Sequence, residues 1–380
     1  MKSHVAAAGW RVLAACGLWI AVIAVLAGTA PRGVRAEAAD EGSWSPKAAA
    51  GYLDGRAAWW AGWPNAARDH GTFCVSCHTA LPYALARPAL RRSLGEREPA
   101  PAEVKLLDNV VKRVTLWRDV APFYPDQARG LPKTSESRGT ESILNAVILA
   151  GRDAERGHLS DEGRAALDNM WALQMKTEAL SGAWAWLNFH YEPWESGDAP
   201  YFGASLAALA VGTAPDAYAE RADLQDNLKS LRTYFQREYE HQPLFNRLMA
   251  LYASTRLSGV LRPEQRAAII DAALARQQDD GGWSTPSLGA WKRIDSSALD
   301  TRSDGYATGL VTLALQRAGV SPGSLPLTKG LAWLRHNQDR TSGQWAASSL
   351  NKQRDPASDA GRFMSDAATA FAVLSLTQGR

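Results

Sequence analysis

The chain has 380 residues, of which 46% are hydrophobic and 21% are charged, and it contains 31 glycines, 19 prolines and 15 tryptophans. This composition excludes disordered, collagen-like and coiled-coil proteins, and three cysteines are too few for a small disulfide-stabilised domain. The net charge is +3, and all four charged residues that precede Glu37 are basic. The remainder is therefore nearly neutral, and we expect no nucleic-acid partner.

Residues 1–36 have the layout of a secretory signal peptide. A short basic region precedes the uncharged run Val12–Ala27, and Val34-Arg35-Ala36 offers small residues at a cleavage site before Glu37. We therefore predict export to the periplasm, with a polar leader over residues 37–46. The alternative is an uncleaved helix anchored in the inner membrane and facing the periplasm, although the run is shorter than the ~20 apolar residues that span a bilayer. Contact with a membrane is expected only through such an uncleaved N-terminus.

Residues 47–380 alternate between two kinds of helical pattern and are predicted to form one domain. A helix with charges on one face lies at the surface, whereas a helix that is apolar on all sides is buried. The predicted surface helices are Lys47–Gly62, Ala102–Val120, Ser160–Met175, Ala219–Glu238, Arg262–Gln277 and Leu325–Asn337. The predicted buried helices are Thr79–Arg87, Thr140–Ala150, Asp198–Val211, Pro243–Ala253, Asp304–Leu315 and Asp366–Leu376.

The buried helices recur with a period of roughly 60 residues that is broken once. Six pairs, each with a surface helix over a buried one, predict an all-α fold, a closed (α/α)6 toroid of six outer and six inner helices. Connections from an outer to an inner helix are mostly long, and the reverse connections are short. Because function usually lies where long loops gather, the site is expected on that face, which includes Trp63–His78.

Three of the long loops share a glutamine followed by glycine and tryptophan. The three copies are Gln174 with Gly182-Ala183-Trp184, Gln277 or Gln278 with Gly281-Gly282-Trp283, and Gln338 with Gly343-Gln344-Trp345. This pattern resembles the QW repeat of squalene–hopene cyclases and related terpenoid cyclases and prenyltransferases. The resemblance implies an (α/α)6 toroid around a hydrophobic cavity, with the glutamine and tryptophan joining an outer helix to the next inner one.

The resemblance does not extend to the chemistry of the cyclases. Those enzymes protonate an alkene with a D-x-D-D cluster, and no segment of this chain matches it. The inner helices begin instead with the single acids Glu141, Asp198, Asp304 and Asp366, which we expect to cap helices. Class II cyclase activity is therefore not expected.

The motif with the most chemical content is Cys74-Val75-Ser76-Cys77-His78, which holds the only two cysteines after residue 36. C-x-x-C-H is the attachment motif of a c-type haem, in which both thiols bond to the porphyrin and the histidine ligates the iron. No further cysteine exists for a four-thiolate zinc site, and the βαβ context of a thioredoxin-like pair is missing. We predict one covalent haem c on Cys74 and Cys77, with His78 as the proximal ligand. A structural disulfide or a redox-active thiol pair is the alternative.

The second axial position of the iron has two candidates. In a closed ring the last helix pair lies beside the first, so Met364 is predicted to reach the haem as distal ligand. His190, on the same face, is the alternative ligand, and a methionine that only fills the core is the alternative role for Met364. Four aromatic residues near the motif could shield the haem from water, Trp59, Trp60, Trp63 and Phe73.

These features predict an exported mono-haem c-type cytochrome that exchanges electrons with a redox partner protein. In a second hypothesis, the ring cavity binds an apolar terpenoid or lipid, which the haem oxidises or senses. That cavity would be lined from the helices that carry Tyr83, Phe202, Phe245, Tyr306 and Phe371. A third hypothesis is a terpenoid-binding or structural toroid without haem. The sequence leaves open whether the protein is an enzyme.

Overall fold

The structure is a computed structural model, and it describes residues 43–126, 133–177 and 179–378. The predicted signal peptide and the leader as far as residue 42 lie outside the described residues. Within the described ranges the chain forms twelve α-helices and one small two-stranded sheet, so the predicted all-α class is confirmed. None of the helices in these ranges is long and apolar enough to cross a membrane.

The twelve helices alternate in chain order between the two predicted kinds. The outer helices are α1 (Pro46–Gly62), α3 (Pro101–Thr115), α5 (Asp161–Ala172), α7 (Gln225–Glu238), α9 (Pro263–Leu274) and α11 (Leu325–His336). The inner helices are α2 (Ala80–Leu94), α4 (Lys133–Arg156), α6 (Ala199–Thr213), α8 (Leu244–Ser254), α10 (Gly305–Arg317) and α12 (Phe363–Leu376). The difference in burial is large, since α9 buries three of its 12 residues and α12 buries 13 of its 14.

The inner helices pack against one another in chain order, from α2 through α4, α6, α8 and α10 to α12. Helix α12 also packs against α2 and α1, so the last helix of the chain is a neighbour of the first two. The outer helices α1 and α3 cover the inner helices that follow them, α2 and α4. As predicted, the loops after outer helices are long, except between α7 and α8.

The three glutamine–tryptophan loops share one hydrogen-bonding pattern. Each glutamine donates from Nε2 to the glycine carbonyl of its own loop at 2.8–2.9 Å and to a carbonyl at the start of the next outer helix at 2.8–3.1 Å. These pairs are Gln174 with Asn227, Gln277 with Pro326 and Gln338 with Ser45. Each tryptophan donates from Nε1 to a carbonyl of its own outer helix at 2.6–2.8 Å.

This pattern corrects one detail of the resemblance. The glutamines join an outer helix to the next outer helix, not to an inner one. Contact with the inner helix comes from the tryptophan backbone, since the N–H groups of Trp283 and Trp345 donate to the hydroxyls of Thr308 in α10 and Thr369 in α12. The loops of Trp283 and Trp345 therefore bond to both layers of helices.

The sequence predicts that the four single acids cap the inner helices, but not all of them do so in the structure. Asp304 does, because its carboxylate accepts from the second and third backbone N–H groups after it. Glu141 lies inside α4 and pairs with Arg113, and both side chains are completely buried. Asp366 lies in the first turn of α12 and pairs with Arg56. Asp198 precedes α6 but its side chain makes no cap bond. The ion-pair partners come from distant helices, which a local sequence pattern does not reveal.

Candidate functional site

The C-x-x-C-H segment lies between α1 and α2 and is fixed by bonds to its backbone. It follows a hairpin of strands β1 (Ala67–Arg68) and β2 (Thr72–Phe73). Trp60 in α1 donates from Nε1 to the carbonyl of Cys74 at 2.6 Å. Asn109 in α3 bonds to both the N–H and the carbonyl of Phe73, at 2.8 and 3.0 Å. Ser76 Oγ accepts from the N–H groups of residues 79 and 80 and so begins α2 in the manner of an N-cap.

Both cysteines of the motif are buried and carry free thiols. Burial raises the pKa of Cys74 to about 12, and it raises the pKa of Cys77 well above its usual value. A redox-active thiol needs a lowered pKa, because the thiolate is the nucleophile. Burial of the two side chains thus disfavours the thiolate form of both cysteines.

The imidazole of His78 lies among three aromatic rings. Phe363, the first residue of α12, stacks on it with a centroid distance of 3.8 Å and an interplanar angle of 25°. Trp60 meets it edge-on at 4.9 Å, and Trp194 lies 6.1 Å away. Burial lowers the pKa of His78 to about 3, so the ring is neutral. A neutral imidazole is the form that ligates a metal.

The hydrogen bonds of His78 fix which of its nitrogens is free. Thr79 donates its single hydroxyl proton to Asp366 Oδ2 at 2.6 Å, so its oxygen is left to accept from His78 Nδ1, which is 2.8 Å away. The proton of the neutral ring is thereby assigned to Nδ1 and the lone pair to Nε2. Tyr52 and Arg56 each donate to Asp366 Oδ1 at 2.8 Å and hold this carboxylate in place.

Glu195 lies close enough to act electrostatically on both thiols. Burial raises the pKa of Glu195 to about 7, although the charge of Lys133 opposes the rise. Tyr124 is affected by the charges of Glu195 and both cysteines, so it belongs to the same surroundings. Sequence reasoning missed Glu195 because it lies in an irregular loop, and no motif marks it.

The two predicted distal ligands have different surroundings in the structure. Met364 is buried in the first turn of α12, directly after the Phe363 that stacks on His78. His190 has an exposed side chain and a left-handed backbone with a φ of 60°. The aromatic neighbour of His78 in α12 is thus Phe363, and the role of Met364 or His190 as a ligand stays a prediction.

Three of the four aromatic residues predicted near the haem lie close to His78 or to Phe363. Trp60 contacts His78 directly. Trp59 and Trp63 stack on each other at 5.2 Å and lie 6.3 and 6.5 Å from Phe363, so they cover the outer side of this cluster. Phe73 is buried and is held by its backbone.

The residues that would hold a covalent haem are the two free thiols and His78. Among the described residues, no group of three or more histidine, cysteine or carboxylate side chains could hold a metal ion. A haem iron needs only one or two protein ligands, since the porphyrin supplies the others. Two free thiols three positions apart would hold the porphyrin, and His78 Nε2 would ligate the iron. Such a group supplies one-electron redox chemistry when it is bound.

Four of the five aromatic residues on the helices predicted to line a cavity contact one another. Phe202 and Phe245 have ring centroids 6.0 Å apart, Phe245 and Tyr306 are 5.7 Å apart, and Tyr306 and Phe371 are 5.4 Å apart. All four are buried. We call this set the aromatic layer. Tyr83 is not part of it: its hydroxyl donates to Asp54 at 2.8 Å, and it lines a cavity between the inner helices.

Comparison with known proteins does not place the chain in a family. No family model matches the chain, and no curated protein matches it. Among solved structures, a chain described as a glycosidase is similar, with a TM-score of 0.49 and 12% identity. The similarity covers 87% of this chain and 97% of that chain.

Proposed function

We propose that the protein is an exported mono-haem c-type cytochrome that exchanges electrons with a redox partner protein. Cys74 and Cys77 attach the haem, and His78 Nε2 is the proximal iron ligand. The observation that carries the proposal is the arrangement of His78: its Nδ1–H donates to Thr79, whose hydroxyl donates to Asp366, so Nε2 keeps its lone pair, and both cysteines of the same segment are free.

The proposal includes a closed (α/α)6 toroid that resembles the squalene–hopene cyclases. Two observations support closure. Helix α12 packs against α2, and Gln338 bonds to both the N–H and the carbonyl of Ser45, at 2.6 and 3.1 Å. Gln174 and Gln277 make the corresponding carbonyl contact within the chain, so the contact of Gln338 repeats their geometry between the last and the first outer helix.

Export to the periplasm is part of the same proposal, because c-type haem is attached on the far side of the cytoplasmic membrane. The support is the signal-peptide layout of residues 1–36. Any contact with the membrane would come from an N-terminus that is not cleaved. Met364 is the proposed distal ligand, with His190 as the alternative.

The test is production of the protein in a periplasm that has c-haem maturation. We expect the secreted form to gain the mass of one haem and to keep its pigment after denaturation. The double variant Cys74→Ala, Cys77→Ala should lose the covalent pigment. Cys16→Ala is the matched control, because Cys16 lies before the predicted cleavage site and should not matter. Bare polypeptide in the secreted wild type would overturn the proposal.

A second candidate function is haem-dependent oxidation or sensing of an apolar terpenoid or lipid. The observation that favours it is that His190, the alternative distal ligand, has an exposed side chain, and a haem iron without a second protein ligand is the reactive kind. Carbon monoxide binding distinguishes the two functions. If the native protein binds carbon monoxide readily, and Met364→Ala leaves the haem spectrum unchanged, electron transfer alone does not describe the protein.

A further inference from the structure

A cavity of about 690 Å³ extends along the inner helices, from Tyr83 near the start of α2 to Arg317 at the end of α10. Helix α12 gives its position: Phe363 touches His78, Phe371 belongs to the aromatic layer, and Leu374 lines the cavity. Eleven residues of helix separate Phe363 from Leu374, which is about 16 Å along the axis. The end of the cavity next to Leu374 therefore lies away from the C-x-x-C-H segment, and its charged residues need an explanation of their own.

The wall of the cavity has two layers. Apolar side chains come first along the inner helices, from Val147 in α4, Leu209 in α6, Tyr252 in α8 and Leu374 in α12. About one turn further on, the same helices contribute polar side chains, Arg152, Thr213, Arg256 and Thr377 with Gln378. The cavity therefore has an apolar interior and a polar rim, which suits a molecule with one apolar and one polar end.

The rim is positively charged. Six arginines and two glutamates line the cavity: Arg91, Arg92, Arg152, Arg156, Arg256, Arg317, Glu103 and Glu155. On one side the charges are paired, since Arg91 and Arg92 both bond to Glu155. On the other side, Arg256 and Arg317 have neither a carboxylate nor a hydrogen-bond acceptor among residues 43–126, 133–177 and 179–378.

Arg317 has an enclosed hydrogen-bond donor that a bound anion would satisfy. Its Nε is enclosed and has no acceptor within the described part of the chain. Burial lowers the pKa of Arg317, and the nearby charge of Arg256 lowers it further. The negative ends of the inner helices favour cations here, but they do not supply an acceptor to Nε. A buried donor without an acceptor is unfavourable, and a bound anion would remove that cost.

We propose that this cavity binds a single-chain anionic amphiphile, with its carboxylate or phosphate head on Arg256 and Arg317. The apolar chain lies between the inner helices among Val147, Leu209 and Leu374. The volume is within the usual range of small-molecule sites, ~300–1,000 Å³. The proposal does not depend on the haem, because none of the residues that line the cavity belongs to the C-x-x-C-H segment.

Isothermal titration of the full secreted protein tests the proposal with three probes: dodecanoate, dodecanol and butanoate. Dodecanol has the same chain without the charge, and butanoate has the charge without the chain. We expect dodecanoate to bind at least about tenfold more tightly than either of the others. Equal binding of dodecanoate and dodecanol, or no binding of dodecanoate, would overturn the proposal. This comparison uses the wild-type protein, so it does not depend on whether a variant folds.

The variants Arg256→Gln and Arg317→Gln should each weaken dodecanoate binding by about tenfold or more, since each removes a charge-assisted hydrogen bond. Arg164→Gln is the matched control, because Arg164 is exposed on α5 and does not line the cavity. Unchanged affinity in both rim variants would overturn the assignment of the head. A parallel arm with phosphatidylcholine vesicles that contain lysophosphatidylglycerol, a single-chain lipid, identifies the source: co-sedimentation that Arg317→Gln abolishes supports a membrane lipid, and dodecanoate binding without co-sedimentation supports a free acid.

Discussion

The hydroxyl of Thr79 decides the state of His78, because it links the imidazole to a buried carboxylate. Without this hydroxyl, the Nδ1–H of His78 would lack an acceptor and Asp366 would lose one of its three side-chain donors. Asp366 is 1% exposed, so water is poorly placed to replace the lost donor. The hydrogen-bond chain from His78 through Thr79 to Asp366 therefore contributes to the stability of the fold and to the orientation of the proposed iron ligand.

We predict that Thr79→Val lowers the free energy of unfolding by about 1–3 kcal/mol, because valine keeps the shape of threonine but leaves buried polar groups unpaired. Thr79→Ser is the control, since it keeps the hydroxyl and loses only a methyl group, at a cost of about 1 kcal/mol. Urea unfolding of both variants measures the difference. A valine variant as stable as the serine variant would contradict this role of the Thr79 hydroxyl.

Glu195 gives a prediction about pH. Burial raises its pKa from 4.5 to about 7, so the native state keeps this proton to a higher pH than the unfolded chain does. Its contribution to stability is therefore complete below about pH 4.5 and is lost as the pH rises through about 7, by at most about 3 kcal/mol. Glu195→Gln should remove this part of the pH dependence.

The measurement is the free energy of unfolding of wild type and Glu195→Gln at several pH values from about 5 to about 8. The difference between the two proteins isolates Glu195 from other titrating groups. Glu98→Gln, at an exposed position, controls for the loss of one carboxylate. Parallel curves for wild type and Glu195→Gln would show that this carboxyl is not desolvated.

At this scale the sequence marks the candidate residues but not the side chains that surround them. Cys74, Cys77 and His78 follow from a local motif, and Trp60 follows from its nearness along the chain. Phe363 and Asp366 reach His78 and Thr79 from about 290 positions away in sequence, a contact that only the packing of α12 on α2 creates. The partners of a buried polar group cannot be read from spacing alone, because they depend on the tertiary fold.

At the scale of the elements, apolar periodicity predicted all twelve helices, and the differences lie at their ends. Helix α4 begins at Lys133, seven residues before the predicted start. The sequence pattern misses its first two turns because they are polar. There Lys133 donates to the carbonyl of Asn188 at 2.6 Å. Such turns are stabilised by contacts with loops, so an apolar pattern does not mark them.

The glycine of each glutamine–tryptophan loop has a left-handed backbone and a close neighbour. Comparison with Gly319, which lies outside these loops, separates the two effects. Gly343 has a φ of +82°, and a Cβ there would lie 2.1 Å from the carbonyl oxygen of Ala48 in α1. Gly319 has a φ of +86°, and nothing lies within 4 Å of a Cβ at that position. The two glycines therefore share a backbone conformation but not a neighbour.

We predict that Gly319→Ala costs about 1–2 kcal/mol from the left-handed conformation alone. Gly343→Ala should cost about 1–3 kcal/mol more, because α1 must move away from the loop. Thermal and urea unfolding of the two variants provide the comparison. Equal losses would mean that the Gly343 loop does not press on α1 in solution.

At the scale of the whole molecule, the question is whether the chain closes on itself. In a closed ring, every outer helix has the same kind of contact with the next, including the contact of α11 with the cap of α1. In an open array, that last contact would be absent, and a change there would have little effect on stability. The three glutamines make equivalent bonds at two internal contacts and at the proposed closure, so they allow a direct comparison.

We predict that Gln338→Met, Gln277→Met and Gln174→Met each lower the free energy of unfolding by about 1–3 kcal/mol, because each leaves two backbone carbonyls without their donor. Methionine keeps the length of the side chain and limits the loss of packing. Gln225→Met is the control, since Gln225 is exposed and bonds only to nearby carbonyls, so its cost should be about 0.5 kcal/mol or less. A loss at Gln338 as small as the loss at Gln225, with full losses at Gln174 and Gln277, would mean that the ring is open between α11 and α1.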